Sequence, residues 1–404
     1  MCRFAWALNS TMKTFPKIGL IADDFTGAMD SGAQFSYSPL GVHFRFAGET
    51  TGDVEIINTA SREIDEAAAR TRVDSACKIL SGRQLFKKID STLRGHVAAE
   101  IKTILSMSHQ YNKAVICSAA PLQGRLIRNG ILYVNNVPLE QTSFKDDPVY
   151  PARTSKVAEL LVSPVSHLSL EQVRGSVAKL STAILESDQD LITADAETED
   201  DLLKLARVIH LTNSLPCGAF GLARAFLKAV DIPPVHKTPF VPHGRVLLLA
   251  GSANQITRDQ LRKLESHPET QLLKFDCTPN VASLKQSLSR VPLHKRIFIL
   301  CADQEKTVRS PEWLRFGQTV SEVAFELIDA IRVETVFVIG GETVTYFCEL
   351  LQTESIEILG EASPGIPYGR IHGGRLSQHM LITKAGGFGQ ADTLANILFP
   401  EKNT

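Results

Sequence analysis

The sequence has almost no net charge: 43 lysines and arginines stand against 44 aspartates and glutamates over 404 residues, a formal charge of −1. No global field draws nucleic acid or an anionic membrane to such a chain. Any anion must be held by local side chains and backbone N–H groups. No run reaches the ~18 apolar residues of a membrane-crossing helix. The seven cysteines, Cys2, Cys77, Cys117, Cys217, Cys277, Cys301 and Cys348, include no CxxC pair, which argues against a zinc or dithiol site. Their odd count and wide scatter fit a reducing compartment, so a cytoplasmic location is expected. Cys117 and Cys301 lie in apolar runs and read as buried small hydrophobes. There is no GxxxxGK[ST] and no HExxH, and no GxGxxG follows a strand with an acid ~20 residues on. These absences set aside a P-loop protein, a HExxH metalloenzyme and a dinucleotide dehydrogenase. No metal-ligating residue is nominated.

What is present is ordinary globular composition, 44% hydrophobic and 22% charged, in a chain too long for one core. One pattern recurs: a short apolar run, a loop with Asp or Gly, then a helical stretch. Ile18 to Ala22 leads into Asp23-Asp24-Phe25-Thr26-Gly27, Leu85 to Ile89 into Asp90-Ser91-Thr92-Leu93-Arg94-Gly95, and Val336 to Ile339 into Gly340-Gly341. Such alternation predicts an α/β protein. The expectation is two domains, each a mostly parallel sheet flanked by helices, with the active site in the cleft between them. The pattern breaks between about Gly124 and Pro151, which reads as a hairpin or long loop over the sheet, and resumes through Ala183-Ile184-Leu185. Pro233-Pro234 and Pro239 to Gly244 read as a linker. The boundaries follow: 1–13 a disordered or extended segment, 14–238 a first domain and 239–404 a second. Phe4 to Leu8 is apolar but too short for a signal-peptide core, and Met12 is an alternative start.

In open α/β sheets ligands bind beyond the carboxyl ends of the strands. In the first half the polar residues at those places are Asp23, Asp24, Thr26, Arg62, Lys87, Lys88, Asp90, Ser91 and Arg94. Acids mixed with cations suit a substrate that carries both hydroxyls and a negative charge. A single helix cap, worth about 1 kcal/mol, needs only one Asp. Asp23-Asp24 exceeds that need, so one carboxylate is expected to bind hydroxyls and the other to help remove a proton. Lys-Asp pairs in the second cluster could be plain surface salt bridges, worth about 0–1 kcal/mol. Strand alternation puts Lys88 and Asp90 on one face and Lys87 on the other, so Lys88, Asp90 and Arg94 converge if the strand end opens into a cleft. Arg62 or Arg94 could grip a carboxylate through two parallel bonds. In the second half, Gly251-Ser252, Gly340-Gly341, Pro364-Gly365 and Gly386-Gly387-Phe388-Gly389 follow strands or sit in loops. Glycine lets backbone approach a phosphate, and a following helix presents free N–H groups.

These segments together resemble one family. Ile21-Ala22-Asp23-Asp24-Phe25-Thr26-Gly27-Ala28, Lys87 to Gly95, Pro121 with Gly124-Arg125 and Thr142 and Asp147-Pro148, and Thr383 to Gly389 look like the four ordered signatures of the four-carbon acid sugar kinases. The resemblance runs from about Lys17 to Phe399. It implies phosphorylation by ATP, with Mg²⁺ inferred from the chemistry, of the terminal hydroxyl of a tetronate. It also implies a first domain for the acid and a second for the nucleotide. Carried onto matching positions, Asp23, Asp24, Arg62 and the Lys88 to Arg94 segment, with Asp90 and Ser91, form the acid-sugar site. Ser252, Gly340, Gly341, Gly365, Gly386, Gly387, Phe388 and Gly389 form the nucleotide site. Asp24 or Asp90 would accept the hydroxyl proton. Ala28-Met29-Asp30-Ser31-Gly32 resembles the D-threonate branch, whereas Gly95-His96 departs from the common Gly-Asn. D-Erythronate, 3-oxo-tetronate or a non-catalytic sugar-acid binder are the alternatives. The partners implied are a sugar acid and ATP, without nucleic acid or membrane; the oligomeric state is left open, a homodimer included.

Overall fold

The structure is a computed structural model that describes residues 15–147, 150–238, 240–252, 254–275, 281–289, 291, 294–302 and 316–400. The segment 1–13, expected to be disordered or extended, lies outside these residues. The first half contributes β1 (Ile18–Ala22), β2 (Val42–Arg45), β3 (Val54–Asn58), β4 (Gln84–Lys88) and β5 (Ala114–Cys117). A three-stranded meander follows, β6 (Arg125–Arg128), β7 (Ile131–Val134) and β8 (Val137–Pro138), and then β9 (Ser166–Leu168), β10 (Leu191–Ala194) and β11 (Leu215–Gly218). The second half contributes β12 (Val246–Ala250), β13 (Thr270–Phe275), β14 (Ile297–Ala302), β15 (Thr335–Ile339), β16 (Ser355–Ser363), β17 (Ile366–His372) and β18 (Met380–Lys384). β1 and β12 are buried at every residue, the mark of strands covered on both faces by helices.

The two parallel blocks are one continuous sheet, in the order β13-β14-β12-β15-β18-β17-β16-β2-β3-β1-β4-β11-β5-β10-β9. The join is the long β16–β17 hairpin. It pairs antiparallel with β2 on one side, Ile356 opposite Phe44, and with β18 on the other, Gly369 opposite Leu381. Three antiparallel pairings in succession make the blocks run in opposite directions along the sheet. Neighbouring strands rotate by roughly 20–25°, so the six pairings from β1 to β15 turn the strands by roughly 120–150°. That rotation, helped by bulges at Ile358/Gly360 and Glu361/Ser363, brings the carboxyl ends of both blocks toward one cleft.

One local expectation changes. Ala183-Ile184-Leu185 is not a strand but the last turn of helix Val177–Leu185, capped by Ser176, whose side chain accepts from Lys179 N–H. Leu180 and Ile184 are its buried residues, four apart on one face. The stretch after Gly124, expected to be a hairpin or long loop, is the β6–β8 meander, two antiparallel hairpins in succession. Cys117 and Cys301 are buried in β5 and β14, as apolar residues would be.

Candidate active site

Parallel register sets the site. Ala22 is paired with Asn58 of β3 and Lys88 of β4, so the loops after three strands emerge side by side. In the second half Ile339 is paired with Ala250 and Lys384, aligning the loops at 251, 340 and 385. The cleft between them has a volume of about 600 Å³. The helix Phe25–Phe35 forms one wall. Asp24 is its N-cap, with Oδ1 accepting from Gly27 N–H at 3.2 Å.

Arg62 organises the acids. Its Nε and Nη2 donate to the two oxygens of Asp23 at 2.7 and 3.1 Å, and Nη2 also donates to Asp24 Oδ1 at 2.7 Å. Asp90 Oδ1 lies 3.7 Å from the same Nη2. Nη1 donates to no described residue. Burial pushes the Asp23 carboxyl up, but Arg62, Lys87 and Lys88 outweigh it, and its pKa falls below the ordinary 3.8. Burial likewise opposes the Asp90 charge, yet Arg62 and Arg94 hold that carboxyl well below its usual range. Asp90 also accepts from Thr92 N–H at 3.1 Å and from Arg94 Nε and Nη2 at 2.9 and 3.1 Å. Arg94 reaches on to Asp147 at 3.1 Å.

Lys88 differs from these cations. It is 4% exposed, lines the cleft, and makes no hydrogen bond or ion pair with any described residue. Its Nζ passes so close to Gly27 that a Cβ there would collide with it; glycine at 27 makes the lysine's room. Ser91 lines the cleft beside it.

Across the cleft the chain presents backbone. Gly341 opens helix Gly341–Leu350, and a Cβ on it would lie 3.1 Å from Thr26 Oγ1. The loop after β18 is held from behind. Lys384 Nζ donates to the carbonyls of Ala385, Gly386 and Phe388 at 2.9, 3.2 and 3.0 Å. Thr257 Oγ1 and Gln260 Nε2 hold the carbonyls of Gly386 and Phe388 at 2.8 and 3.0 Å. With its carbonyls drawn inward, the loop keeps the N–H groups of Gly386 and Gly387 unpaired among described residues, as an anion site requires. A Cβ on Gly386 would collide with Ser252 Oγ.

Of the residues expected from sequence, Asp23, Asp24, Arg62, Lys88, Asp90, Ser91, Arg94, Gly341, Gly386 and Phe388 line this one cleft. Ser252, Gly340, Gly387 and Gly389 sit in the adjoining loops. Gly365 is at the β16–β17 turn, in a second cavity of about 450 Å³ whose wall, Gln123 and Phe220, is shared with the first. His96 faces away from the cleft, with Nε2 at 2.5 Å from the Ile64 carbonyl. Four cleft or loop residues were not singled out. Arg125 enters the cleft from the meander with Nη1 on the Gln123 carbonyl at 2.6 Å and a buried Nε that has no partner among the described residues; burial lowers its pKa. Glu342 has a pKa raised by burial and by Glu63. Lys384 and Asp30 are the others. Arg125, Lys384 and Asp30 all stood within segments that resemble the family, without a role of their own, and Asp30 shares a helix face with Thr26, four residues earlier.

Comparison with known proteins matches two stretches of the chain. Residues 18–226 match the sugar-binding N-terminal domain and residues 247–394 the nucleotide-binding C-terminal domain of one kinase family. A D-threonate kinase of Salmonella typhimurium is 30% identical, over 95% of this chain and 98% of its own. A D-erythronate kinase of Heliobacterium modesticaldum is 27% identical, over 92% and 94%. A crystal structure from Salmonella typhimurium LT2 superposes with a TM-score of 0.78 at 20% identity, covering 94% of this chain and 98% of that one, which bears on the fold alone.

Proposed function

This chain belongs to the four-carbon acid sugar kinase family, and we propose that it transfers the γ-phosphoryl group of ATP to the terminal hydroxyl of D-threonate. The observation that carries the reading is a single cleft lined both by Lys88, a buried ammonium without a partner among the described residues, and by the loop at Gly386, whose backbone N–H groups are likewise unpaired among them. The first suits a carboxylate and the second a phosphate.

In this reading Lys88, Arg125 and the open Nη1 of Arg62 receive the sugar-acid carboxylate. Asp23 and Asp24, fixed by Arg62, accept hydroxyl protons as hydrogen bonds. Residues 14–238 bind the acid and 239–404 the nucleotide. Phosphoryl transfer needs positioning and charge neutralisation more than covalent help from the protein. Mg²⁺ enters as the usual companion of a triphosphate. Among the described residues no three His, Cys, Asp or Glu side chains converge on a metal position, which fits a cation held largely by phosphate oxygens and water.

The test is an assay of ADP release with D-threonate, D-erythronate, L-threonate and 3-oxo-tetronate. Turnover with D-threonate, at the highest kcat/KM of the panel, is expected. Preference for another tetronate would reassign the substrate, and tetronate binding without ADP release would make the chain a binder rather than a kinase.

A further inference from the structure

Helix Phe25–Phe35 buries an acid that the reading above leaves without a task. Asp30 lies in mid-helix, 8% exposed, and lines the cleft. Its Oδ1 is buried with no hydrogen-bond partner among the described residues. Unpaired buried carboxyl oxygens are unfavourable, and such features gather where a ligand supplies the missing partner.

The other acids of the first-half cluster have cations or N–H donors as partners. Asp23 receives Arg62 through both oxygens, Asp90 receives Arg94 and Thr92, and Asp24 caps its helix and receives Arg62 through one and the same oxygen, Oδ1. The carboxylates of Asp23 and Asp90, held by their cations below the usual range, are poor proton acceptors. Asp30 is placed differently. Thr26 precedes it by one helical turn on the same face, and Thr26 Oγ1 lies 3.1 Å from where a Gly341 Cβ would be. Asp30 therefore faces the space between the cations of the first half and the glycine loops of the second.

Building on the kinase reading, we propose that Asp30 is the general base that takes the proton of the substrate's terminal hydroxyl. In the step, the hydroxyl O–H bond breaks and its proton passes to the Asp30 carboxylate. The oxygen bonds to the γ-phosphorus of ATP. The bond from that phosphorus to the β–γ bridging oxygen breaks, and its electron pair leaves with ADP. The proton is then released to water.

The charged groups around Asp30 suit that task. Burial pushes its pKa up, Lys88 from β4 opposes, and Glu361 from β16 and Asp24 from the helix start reinforce burial, leaving it at about 7. Arg224 and Lys228, on the helix Phe220–Ala229 that packs against this one, line the second cavity instead. A base poised near neutrality combines availability with proton affinity.

The experiment is the pH dependence of kcat/KM for the full chain and for Asp30→Asn, Asp30→Glu and Glu342→Gln, with the tetronate that the wild type prefers. The wild type should lose activity roughly tenfold per pH unit below about 7. Asp30→Asn should lower kcat by about 100-fold or more, abolish the acidic limb and leave the tetronate KM within a few-fold. Asp30→Glu should retain a limb at a shifted pH, and Glu342→Gln should keep the limb in place. A limb that persists in Asp30→Asn, a kcat within a few-fold of wild type, or an unshifted limb in Asp30→Glu overturns the assignment. A wild type that turns over no tetronate overturns the kinase reading and the base with it, whereas an active wild type with an unaffected Asn variant overturns the base alone.

Discussion

Lys87 Nζ lies 2.6 Å from Glu100 Oε2, and neither side chain exposes more than 1% of its surface. The contact is an ion pair off the axis of a directed hydrogen bond, since Nζ has no partner in hydrogen-bonding geometry. Ser61 Oγ donates to the other oxygen of Glu100 at 2.5 Å. One residue along the strand, Lys88 has the opposite fate and faces the cleft. Breaking a buried pair from one side leaves an uncompensated charge and costs about 3–5 kcal/mol. Lys87→Met should lower the denaturation midpoint accordingly, and adding Glu100→Leu should restore most of it. A single variant as stable as wild type would show that the pair contributes nothing.

Arg62→Ala should uncover a pH-dependent loss. Asp23 and Asp90 have folded pKa values below the ordinary 3.8 because Arg62, together with Lys87 and Lys88 at Asp23 and Arg94 at Asp90, outweighs their burial. Depressed carboxylates stabilise the fold above their unfolded pKa, and that stability is lost as pH falls through the folded pKa. The gap in Tm between wild type and variant should be widest at neutral pH and close only below 3.8. An equal gap from pH 3 to pH 7 would exclude this coupling. Arg62→Lys should fail to rescue, because an ammonium cannot bond two oxygens of Asp23 in parallel.

Lys88→Met should raise the KM for the sugar acid by about tenfold or more, the value of one charge-assisted contact of ~1.5–3 kcal/mol. The KM for ATP should stay within a few-fold. Steady-state kinetics with each substrate varied separately check the split, and equal changes in both constants would count against a carboxylate role.

Lys384→Met should do the reverse. Without the ammonium, three loop carbonyls lose their donor, so the KM for ATP should rise and that for the sugar acid should not. Burial lowers the Lys384 pKa from 10.5 to about 8. The ammonium is therefore lost as pH rises through about 8, and the wild-type KM for ATP should climb above that pH while that of the variant stays flat. Parallel profiles would show that Lys384 does not hold the loop for the nucleotide.

Much of the architecture was legible. Buried parallel strands are near-continuous apolar runs, so β1, β12 and β15 could be read directly. The polar residues that follow them marked the cleft, because parallel strands deliver their loops to one edge. Less visible were β16 and β17, whose alternating burial mixes half-buried and buried residues. Their pairing with β2 is a contact between residues more than 300 positions apart, Ile356 with Phe44. Ala183–Leu185 misled because three apolar residues suit a strand or a helix end equally.

The sequence by itself determined the strand-loop-helix rhythm, the acids and cations after the first-half strands, and the glycines after those of the second. These are local properties, set by hydrophobic periodicity and by where polar residues interrupt it. Only the tertiary structure decided how those charges are shared out. Arg62, expected to grip a substrate, is bonded to Asp23 and Asp24; Lys88 is left without a partner among the described residues; and Asp30, part of a segment that resembles one branch of the family but given no role, is buried at the cleft with an oxygen unpaired among them. Charge pairing depends on through-space distance and burial across loops far apart in the chain, and spacing along the chain carries neither.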